Sequence, residues 1–390
     1  MLVFEALNAL HGDCLLLRMG EDGEILWVID GGPKAKDVDG KPVVVWRDVL
    51  MPRLRKLVPE PGPVPVSLGI CTHIDDDHIN GMNALAKAAA AGKPQVAFAR
   101  FWFNDFEALL AAAKAVAPAA GAAPAALAPA LLAAPDEIDA AVMVQSVTQG
   151  NKLAKDLATT KFDLNGLFLP GPVVMASAAK PTYWPEAGVS VTLLGPSAKR
   201  LAQLKVDWDE MRPPAAGVEG AAMLPKSKLD RSKANLSSIA FLLESEGRKL
   251  LLTGDALAAD LVDFWKNELK RGETPVNLLK IPHHGSARNM TTEFLELFPA
   301  EHYVISADGE HDNPDPQVIE EIVKVGGARR FTLHFTNRPI RWKNPYTLDT
   351  GGASAQTLDD LLKALHAAYP GPWTENFRAP GALGIEIPLA

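Results

Sequence analysis

The sequence predicts an α/β fold. Short apolar runs bounded by Gly, Pro and Asp recur along the 390 residues, and runs with helical spacing follow several of them. Hydrophobic residues make up 47% of the chain and charged residues 22%. This balance is typical of a globular protein and excludes disordered, collagen-like and coiled-coil classes.

The first hundred residues begin with strand-like runs separated by turn signals. VFEAL, DCLLLRM and ILWVID precede Gly31-Gly32-Pro33, which indicates an early β-meander. The segment DVLMPRLRKLV then has helical spacing, and VSLGICT is typical of a buried strand. A polar run follows this strand directly and is therefore expected at its carboxyl end.

An insertion is predicted between residues 82 and 185, where the composition shifts to Ala, Leu and Pro. Within it, Ala108 to Ala134 is long enough to span a membrane, but alanine contributes little transfer free energy and three prolines interrupt the stretch. A broken helical insertion is the better interpretation, with a helix through SVTQGNKLAKDLATT after it. Residues 1–390 are expected to form one domain that carries this mostly helical segment.

Strands return after the insertion. VSVTLLGP, SSIAFLLES and KLLLTGDA are strand-like, and the last two are expected to form a hairpin. The helical runs AADLVDFWKNELKR and PQVIEEIVKVG alternate with the strand-like runs NLLKIP, YVISA and RRFTLHFT, and GIEIPLA reads as a closing strand.

Charge and cysteine content limit the partners and the compartment. Lys+Arg 39 against Asp+Glu 47 gives a net charge of −8, so no global positive field attracts long nucleic acid or an anionic membrane. Cys14 and Cys71 are too few for a disulfide framework or a thiolate zinc site, which fits a reducing compartment. The N-terminus lacks the basic start and cleavage site of a signal peptide. We therefore expect a cytoplasmic protein without a membrane segment.

The run Thr72-His73-Ile74-Asp75-Asp76-Asp77-His78 is the most informative in the chain. Carboxylates this close raise one another's pKa unless a cation offsets their charge, so a bound metal is the natural explanation. The alternative is a solvated acidic turn with histidines beside it by chance. The apolar strand before the run and Gly81 after it favour the metal.

This run resembles the signature of the metallo-β-lactamase fold superfamily, which is His-x-His-x-Asp-His at the end of a strand. Here it is His73-x-Asp75-x-Asp77-His78. Aspartate in place of the second histidine is typical of the competence-protein (ComEC-like) branch. Further motifs match in order over about residues 1 to 310, namely Asp30 in VIDGG, Asp255 in LLLTGDA and the histidine pair of KIPHHGS.

The resemblance implies a metallo-β-lactamase-like αββα sandwich of two mixed β-sheets that binds two divalent metal ions. The implied ligands are His73, Asp75, Asp77, His78, Asp255 and His284, with Asp30 in support. Because carboxylate oxygens are harder ligands than imidazole, this set favours manganese over zinc, although zinc and magnesium are also candidates.

The third motif departs from the family pattern. Typical members have a histidine before the strand that leads to Asp255, whereas this chain has Asn235-Leu236-Ser237-Ser238. Asn235 is either a metal ligand through its carbonyl oxygen or a turn residue that caps the strand. The family pattern favours His284 as the ligand of the histidine pair, so His283 is expected to orient a ligand or face substrate.

Two loops outside these motifs carry further candidates. Asn313-Pro314 stands where the branch usually has His-Pro, and His11 lies in a segment similar to its early Gly-Asp segment. Each either reaches the metals or has a structural role. Candidate phosphate contacts are Arg288 and Ser286 beside the fifth motif, together with the basic residues before Asn235, namely Lys226, Lys228, Arg231 and Lys233. The alternative is that those lysines only solvate a loop.

The predicted activity is metal-dependent hydrolysis. Asp77, His78 and Asp255 are the expected catalytic residues, because two ions held there activate a bridging water to hydroxide near neutral pH. Two cations suit a phosphodiester, since they stabilise both the attacking and the leaving oxygen, and the resemblance implies a nuclease-like phosphodiesterase. The acidic net charge favours a short nucleic acid or a nucleotide over a long duplex.

Two alternatives stay open at this point. The same metal site supports hydrolysis of a lactone, a lactam or a thioester. The chain could instead be an effector module of a multi-protein system, with activity regulated by a protein partner that docks on the long insertion.

Overall fold

The computed structural model describes residues 1–37, 39–105, 140–168, 173–210, 233–352 and 354–389. The stretch Ala108 to Ala134 lies outside the described residues, as do Lys226, Lys228, Arg231 and the side chain of Lys233. None of the described helices combines the length and the apolar character needed to cross a bilayer.

The strands of the first half of the chain follow the predicted meander and continue beyond it. They are β1 (Leu2–Leu7), β2 (Leu15–Met19), β3 (Ile25–Ile29), β4 (Lys34–Lys36), β5 (Pro42–Val44), β6 (Val64–Ile70), β7 (Val96–Trp102), β8 (Asp163–Leu164), β9 (Thr182–Glu186) and β10 (Val189–Gly195).

The strands of the second half include the predicted hairpin and the closing strand. They are β11 (Ala240–Ser245), β12 (Arg248–Leu252), β13 (Val276–Lys280), β14 (Ala300–Ile305), β15 (Thr332–Phe335), β16 (Arg341–Tyr346), β17 (Ala355–Thr357), β18 (Thr374–Phe377) and β19 (Gly384–Pro388).

The described helices connect these strands. They are α1 (Met51–Leu57), α2 (Asp76–Ala90), α3 (Ala140–Ala158), α4 (Ala198–Glu210), α5 (Lys233–Leu236), α6 (Ala258–Asp263), α7 (Thr292–Leu297), α8 (Pro316–Gly326) and α9 (Leu358–Ala368). A π-helical turn precedes α1 and another follows α6, and single 3₁₀ turns lie at Gly166–Phe168, Pro282–Gly285 and Glu310–Asp312.

Local sequence explains where helices begin. The side chain of Thr357 accepts a hydrogen bond from the backbone N–H of Asp360 and caps α9, and Thr291 does the same for α7 through the N–H of Phe294. Pro316 occupies the first turn of α8, where its missing N–H costs nothing.

Two large mixed sheets form the centre of the molecule. The first has the strand order β19-β1-β2-β3-β6-β7-β8, and the second has the order β18-β15-β14-β13-β12-β11-β10-β9. In each sheet an antiparallel part adjoins a parallel part, which begins at the β3–β6 pair in the first and at the β12–β13 pair in the second. The predicted hairpin of β11 and β12 is confirmed, with Phe241 opposite Leu252.

Three apolar layers hold these sheets together. Phe4, Trp27 and Phe241 belong to the layer between the two sheets. A second layer lies between the first sheet and α1, α2 and α3, and a third lies between the second sheet and the helices α6 to α9. The predicted αββα sandwich is thus confirmed, because each sheet buries one face against the other sheet and one face against helices.

The range 82–185 assigned to an insertion begins inside regular structure. Residues 82–90 complete α2, and β7 pairs in parallel with β6 within the first sheet. The alanines that shift the composition there are helical residues of α2. Further along, α3 packs against α2.

Candidate metal centre

The polar residues that follow four strands meet at one end of the sandwich. Asp30 follows β3 and residues 72–78 follow β6 in the first sheet, whereas Asp255 follows β12 and His284 follows β13 in the second. Carboxyl ends of parallel strands share one edge of a sheet, so the fold brings residues far apart in sequence to a common position.

Four side chains form a compact group, with one ligand atom of each within 4.8 Å of the others: Asp77, His78, Asp255 and His284. His78 Nε2 lies 3.3 Å from Asp255 Oδ1, and His284 Nε2 lies 3.2 Å from Asp77 Oδ2. We call this group the metal cluster. Each sheet supplies two of its members.

The hydrogen bonds of the two imidazoles leave their inward nitrogens bare. His78 Nδ1 lies 2.8 Å from Asp30 Oδ2, and His284 Nδ1 lies 2.8 Å from the carbonyl oxygen of Ser306. Both partners accept hydrogen bonds, so each neutral ring carries its proton on Nδ1. When both rings are neutral, the two Nε2 lone pairs face each other 3.2 Å apart. Either a proton on one ring or a bound cation would relieve this repulsion.

Orphaned polar atoms support the same conclusion. His73 Nε2 and Asp255 Oδ1 are buried and have no hydrogen-bond partner among the described residues. His73 Nε2 also lies 3.8 Å from Asp255 Oδ2, on the opposite oxygen from that which faces His78. Buried polar atoms without partners are costly in a native protein, and a divalent cation satisfies imidazole nitrogen and carboxylate oxygen together. The residues therefore fit a metal site.

The histidines and carboxylates at the cluster shift one another's pKa values strongly. Burial lowers the pKa of His78, but the carboxylates of Asp255, Asp77 and Asp30 outweigh it and raise that pKa well above its ordinary value. Burial raises the pKa of Asp77 and Asp255, and neighbouring histidines overcome this and lower both. Burial, together with nearby His78, lowers the pKa of His73 to about 4. The histidines thus act on the carboxylates as a bound cation would.

Asp30 supports the cluster from below. It is fully buried, and besides His78 it accepts hydrogen bonds from the backbone N–H and the hydroxyl of Thr72, at 2.8 and 2.7 Å. A carboxylate behind a ligating histidine fixes the ring's orientation and its tautomer.

Asp75 lies outside the metal cluster. Its Oδ1 accepts a hydrogen bond from the hydroxyl of Ser146 on α3 at 2.8 Å, and burial, with the charge of Asp77, raises its pKa to about 7. Next to it, Asp76 accepts hydrogen bonds from Asn80 on α2 and from Gln149 on α3. Helix α3 therefore holds the middle carboxylates of the motif. Coordination by Asp75 stays a prediction.

The third and fifth motifs meet around His283. Asn235 Nδ2 lies 3.4 Å from His283 Nε2, and His283 Nδ1 lies 2.7 Å from Asn289 Oδ1. Asn289 Nδ2 in turn donates to the carbonyl oxygen of Asp255 at 3.0 Å. The side chain of His283 is 23% exposed and its Nε2 lies 3.6 Å from Asp255 Oδ2, so this imidazole borders both the cluster and solvent.

Ser238 is a contact of the third motif that sequence reasoning missed. Its hydroxyl lies 3.2 Å from His73 Nδ1 and accepts a hydrogen bond from the backbone N–H of Asp255 at 3.1 Å. Three residues after Asn235, the chain therefore supplies a hydroxyl that links His73 to the cluster residue Asp255.

The loop after β1 touches the motif through its backbone. A Cβ at Gly12 would lie 2.1 Å from the carbonyl oxygen of Asp77, so this position admits only glycine. The ring of His11 packs edge-on against that of His311, with centroids 5.9 Å apart. Asn313 belongs to the same loop as His311, where its carbonyl oxygen accepts a hydrogen bond from Gly309. Direct roles for His11 and Asn313 at the metals stay predictions.

A buried ion pair beneath the cluster was also missed. Lys280, the last residue of β13, is fully buried, and its Nζ lies 2.8 Å from Asp13 Oδ2. Asp13 Oδ1 lies 3.8 Å from His284 Nδ1, so the pair adjoins the cluster. The signal was present, because a lysine in the apolar run NLLKIP must either reach solvent or find a carboxylate.

Comparison with known proteins adds similarity of structure alone. No family model and no curated protein sequence matches the chain. It is similar to the crystal structure of Zn²⁺-bound PqqB from Methylobacterium extorquens, with a TM-score of 0.39 and 12% identity over 96% of this chain and 87% of that chain. It is also similar to a mutant of CmlA β-hydroxylase, with a TM-score of 0.36 and 10% identity over 100% of this chain and 54% of that chain.

Fold and site together define a class. The chain is an αββα sandwich of two mixed sheets, and a buried His/Asp cluster suited to divalent metal lies where the two sheets meet.

Proposed function

We propose that the protein is a metal-dependent hydrolase that cleaves phosphodiesters in a short nucleic acid or a nucleotide. One observation carries the proposal: two imidazoles and two carboxylates, from three segments and both sheets, converge within 4.8 Å. A group in which either a proton on His78 or a cation must offset buried carboxylates is suited to holding a metal.

The cluster residues would hold the metal, with His73 and Asp255 at a second position that shares Asp255 with the first. Manganese or zinc, with magnesium as a third candidate, would lower the pKa of a bound water and supply hydroxide near neutral pH.

The surrounding residues preorganise the ligands. Asp30 fixes the ring of His78, the carbonyl oxygen of Ser306 fixes that of His284, and Ser238 holds the backbone of Asp255. His283 is placed to exchange a proton with a leaving group, because it borders Asp255 on one side and solvent on the other.

The charges at the site favour a phosphodiester substrate. Phosphodiester cleavage develops charge on both the attacking and the leaving oxygen, which a dinuclear site stabilises at once. Exposed Arg288, four residues after His284, offers a cation for a further phosphate oxygen. The resemblance of the His-x-Asp-x-Asp-His run to the competence-protein branch supports the same substrate class.

Hydrolysis of bis-p-nitrophenyl phosphate tests the proposal. We expect activity with Mn²⁺ to exceed activity with Zn²⁺ and to exceed hydrolysis of a lactone. Asp255→Ala should abolish this activity without unfolding the protein, because the residue serves as a ligand at the end of a strand. Asp263→Ala removes an exposed carboxylate on α6 and serves as the control. A preparation that holds zinc tightly and cleaves lactones but no phosphodiester would contradict the proposal.

A further inference from the structure

A second polar site lies on the outer face of the first sheet's helical layer. A groove of about 850 Å³ runs between α2, α3 and the π-helical turn before α1. We call it the lysine groove and define it by six of its lining residues: Trp46, Asn83, Lys87, Lys93, Gln149 and Lys152.

Positive charge dominates this groove. Lys87, Lys93 and Lys152 are exposed, and in the described part of the chain none of their ammonium groups makes an ion pair or a hydrogen bond. No carboxylate is among the described residues that line the groove. In a chain of net charge −8, three unpaired ammonium groups around one concavity create a local field that attracts an anion.

The walls also contain hydrogen-bond acceptors without donors. Asn83 is only 4% exposed, and its Oδ1 has no partner among the described residues. Gln149 uses its Nε2 to hold Asp76, which leaves its buried Oε1 without a partner in the described structure. Buried amide oxygens without a donor are costly, so a small rotation of either amide toward the groove would offer an acceptor to a ligand that carries N–H donors.

An aromatic ring completes the groove. Trp46 packs on the apolar layer between the first sheet and its helices and is only partly buried, so its indole contributes an aromatic wall. Indole faces bind nucleobases by stacking.

We propose that the lysine groove binds a nucleotide unit. The lysines would hold its phosphate, Trp46 would stack on its base, and the amide oxygens of Asn83 and Gln149 would accept hydrogen bonds from the base edge. A single strand and a free nucleotide share this chemistry, and the experiment below separates them.

Helix α2 links the groove to the metal cluster. Asp76, Asn80, Asn83 and Lys87 are spaced four, three and four residues apart and so lie on one stripe of the helix. The ten residues from 77 to 87 span about 15 Å along the helix axis. The groove would therefore hold a nucleotide of the substrate that lies away from the cleaved bond. In this respect the groove's role rests on the proposed function.

Fluorescence anisotropy of a labelled single-stranded hexa-adenylate tests the site in low salt with a chelator present. Lys87→Glu should weaken binding about tenfold, because it replaces a phosphate contact by a repulsion. Lys363→Glu, a matched change of an exposed lysine on α9, should leave binding unchanged. Asn83→Leu should weaken binding without lowering the melting temperature, since it removes an acceptor that the protein itself leaves unpaired.

The outcomes separate the occupants. Displacement by adenosine monophosphate assigns the groove to a free nucleotide, and displacement only by longer oligomers assigns it to a strand. The proposal is overturned if inorganic phosphate displaces the labelled strand as well as the nucleotides do. It is also overturned if both groove variants bind the strand with wild-type affinity, or if Lys363→Glu loses as much affinity as Lys87→Glu. Because the assay contains no metal and measures binding, its failure leaves the hydrolytic proposal standing, and loss of hydrolysis leaves this binding intact.

Discussion

At the scale of single residues, the site depends on what lies behind each ligand. Asp30 and the carbonyl oxygen of Ser306 both accept a proton from Nδ1, so His78 and His284 present Nε2 to the same point. The backbone adapts as well: His283 and His284 take φ of 46° and 56°, in the left-handed region that costs free energy for a non-glycine residue. The unfavourable backbone conformation of these two residues is what positions their imidazoles at the site.

Asp75 gives the metal-free protein a specific pH dependence. Its pKa is about 7 in the folded state, because of burial and the charge of Asp77, against about 3.9 in an unfolded chain. Between these values the native state binds more protons, so the contribution of Asp75 to the free energy of unfolding falls as pH rises. Asp75→Asn should therefore gain stability over wild type, and the gain should grow from about pH 4 to pH 7.

Urea denaturation with a chelator at several pH values measures this gain. Asp263→Asn, an exposed carboxylate on α6, should show no such pH trend. A gain for Asp75→Asn that is constant across the interval would mean that Asp75 is ionised throughout.

Sequence alone indicated the chemistry of the motif but not its hydrogen bonds. The run from His73 to His78 predicts a bound cation because its charged residues are adjacent in sequence. Ser238 carried no such signal, because its contacts to His73 and Asp255 arise only when the two sheets pack together. The sequence also could not predict whether Asp75 contacts a metal, because its hydrogen-bond partner Ser146 lies 71 residues away on another helix.

At the scale of elements, the docking of α3 on α2 is the feature nearest to the chemistry. Ser146 and Gln149 lie three residues apart on one face of α3 and donate to Asp75 and Asp76. Composition predicted a helix here, but it could not predict that this helix supports the motif.

If Asp75 coordinates the metal as predicted, Ser146→Ala should weaken Mn²⁺ binding about tenfold, as losses behind metal ligands do. The hydroxyl lowers the pKa of Asp75, so its removal raises that pKa further and favours the protonated acid. Isothermal titration calorimetry measures the affinity, with Lys155→Ala on the exposed side of the same helix as control. Ser146→Thr, which keeps the hydroxyl, should restore binding. Unchanged affinity in Ser146→Ala would show that α3 packs beside the motif without supporting it.

The predicted boundary of the insertion shows where composition misleads. Alanine enrichment from residue 82 reflects the helix α2, whose small residues allow close packing, and the strand β7 that follows is part of the first sheet. Strand β7 was readable as an apolar run, but its pairing with β6 is a long-range property that one sequence does not display.

At the scale of the whole molecule, Lys280 and Asp13 join the two sheets. Lys280→Met should destabilise the protein by about 3–5 kcal/mol, because it leaves the carboxylate of Asp13 buried without its cation. The double change Lys280→Met with Asp13→Asn should cost much less than the sum of the single changes. Urea denaturation of all four proteins gives the coupling free energy, and additive losses would show that the two charges do not stabilise each other.

Metal binding should stabilise the whole sandwich, because the cluster takes Asp77 and His78 from the first sheet and Asp255 and His284 from the second. A cation that binds only when both sheets are packed stabilises the folded state by mass action, about 2.7 kcal/mol at a concentration one hundred times its Kd. Mn²⁺ should therefore raise the melting temperature of the wild type and of Asp263→Ala. Asp77→Ala and Asp255→Ala each remove a ligand from a different sheet, and both should lose the increase. If it survives in one variant only, the ion is held by a single sheet; if it survives in both, the cation binds elsewhere and the facing lone pairs of His78 and His284 need another explanation.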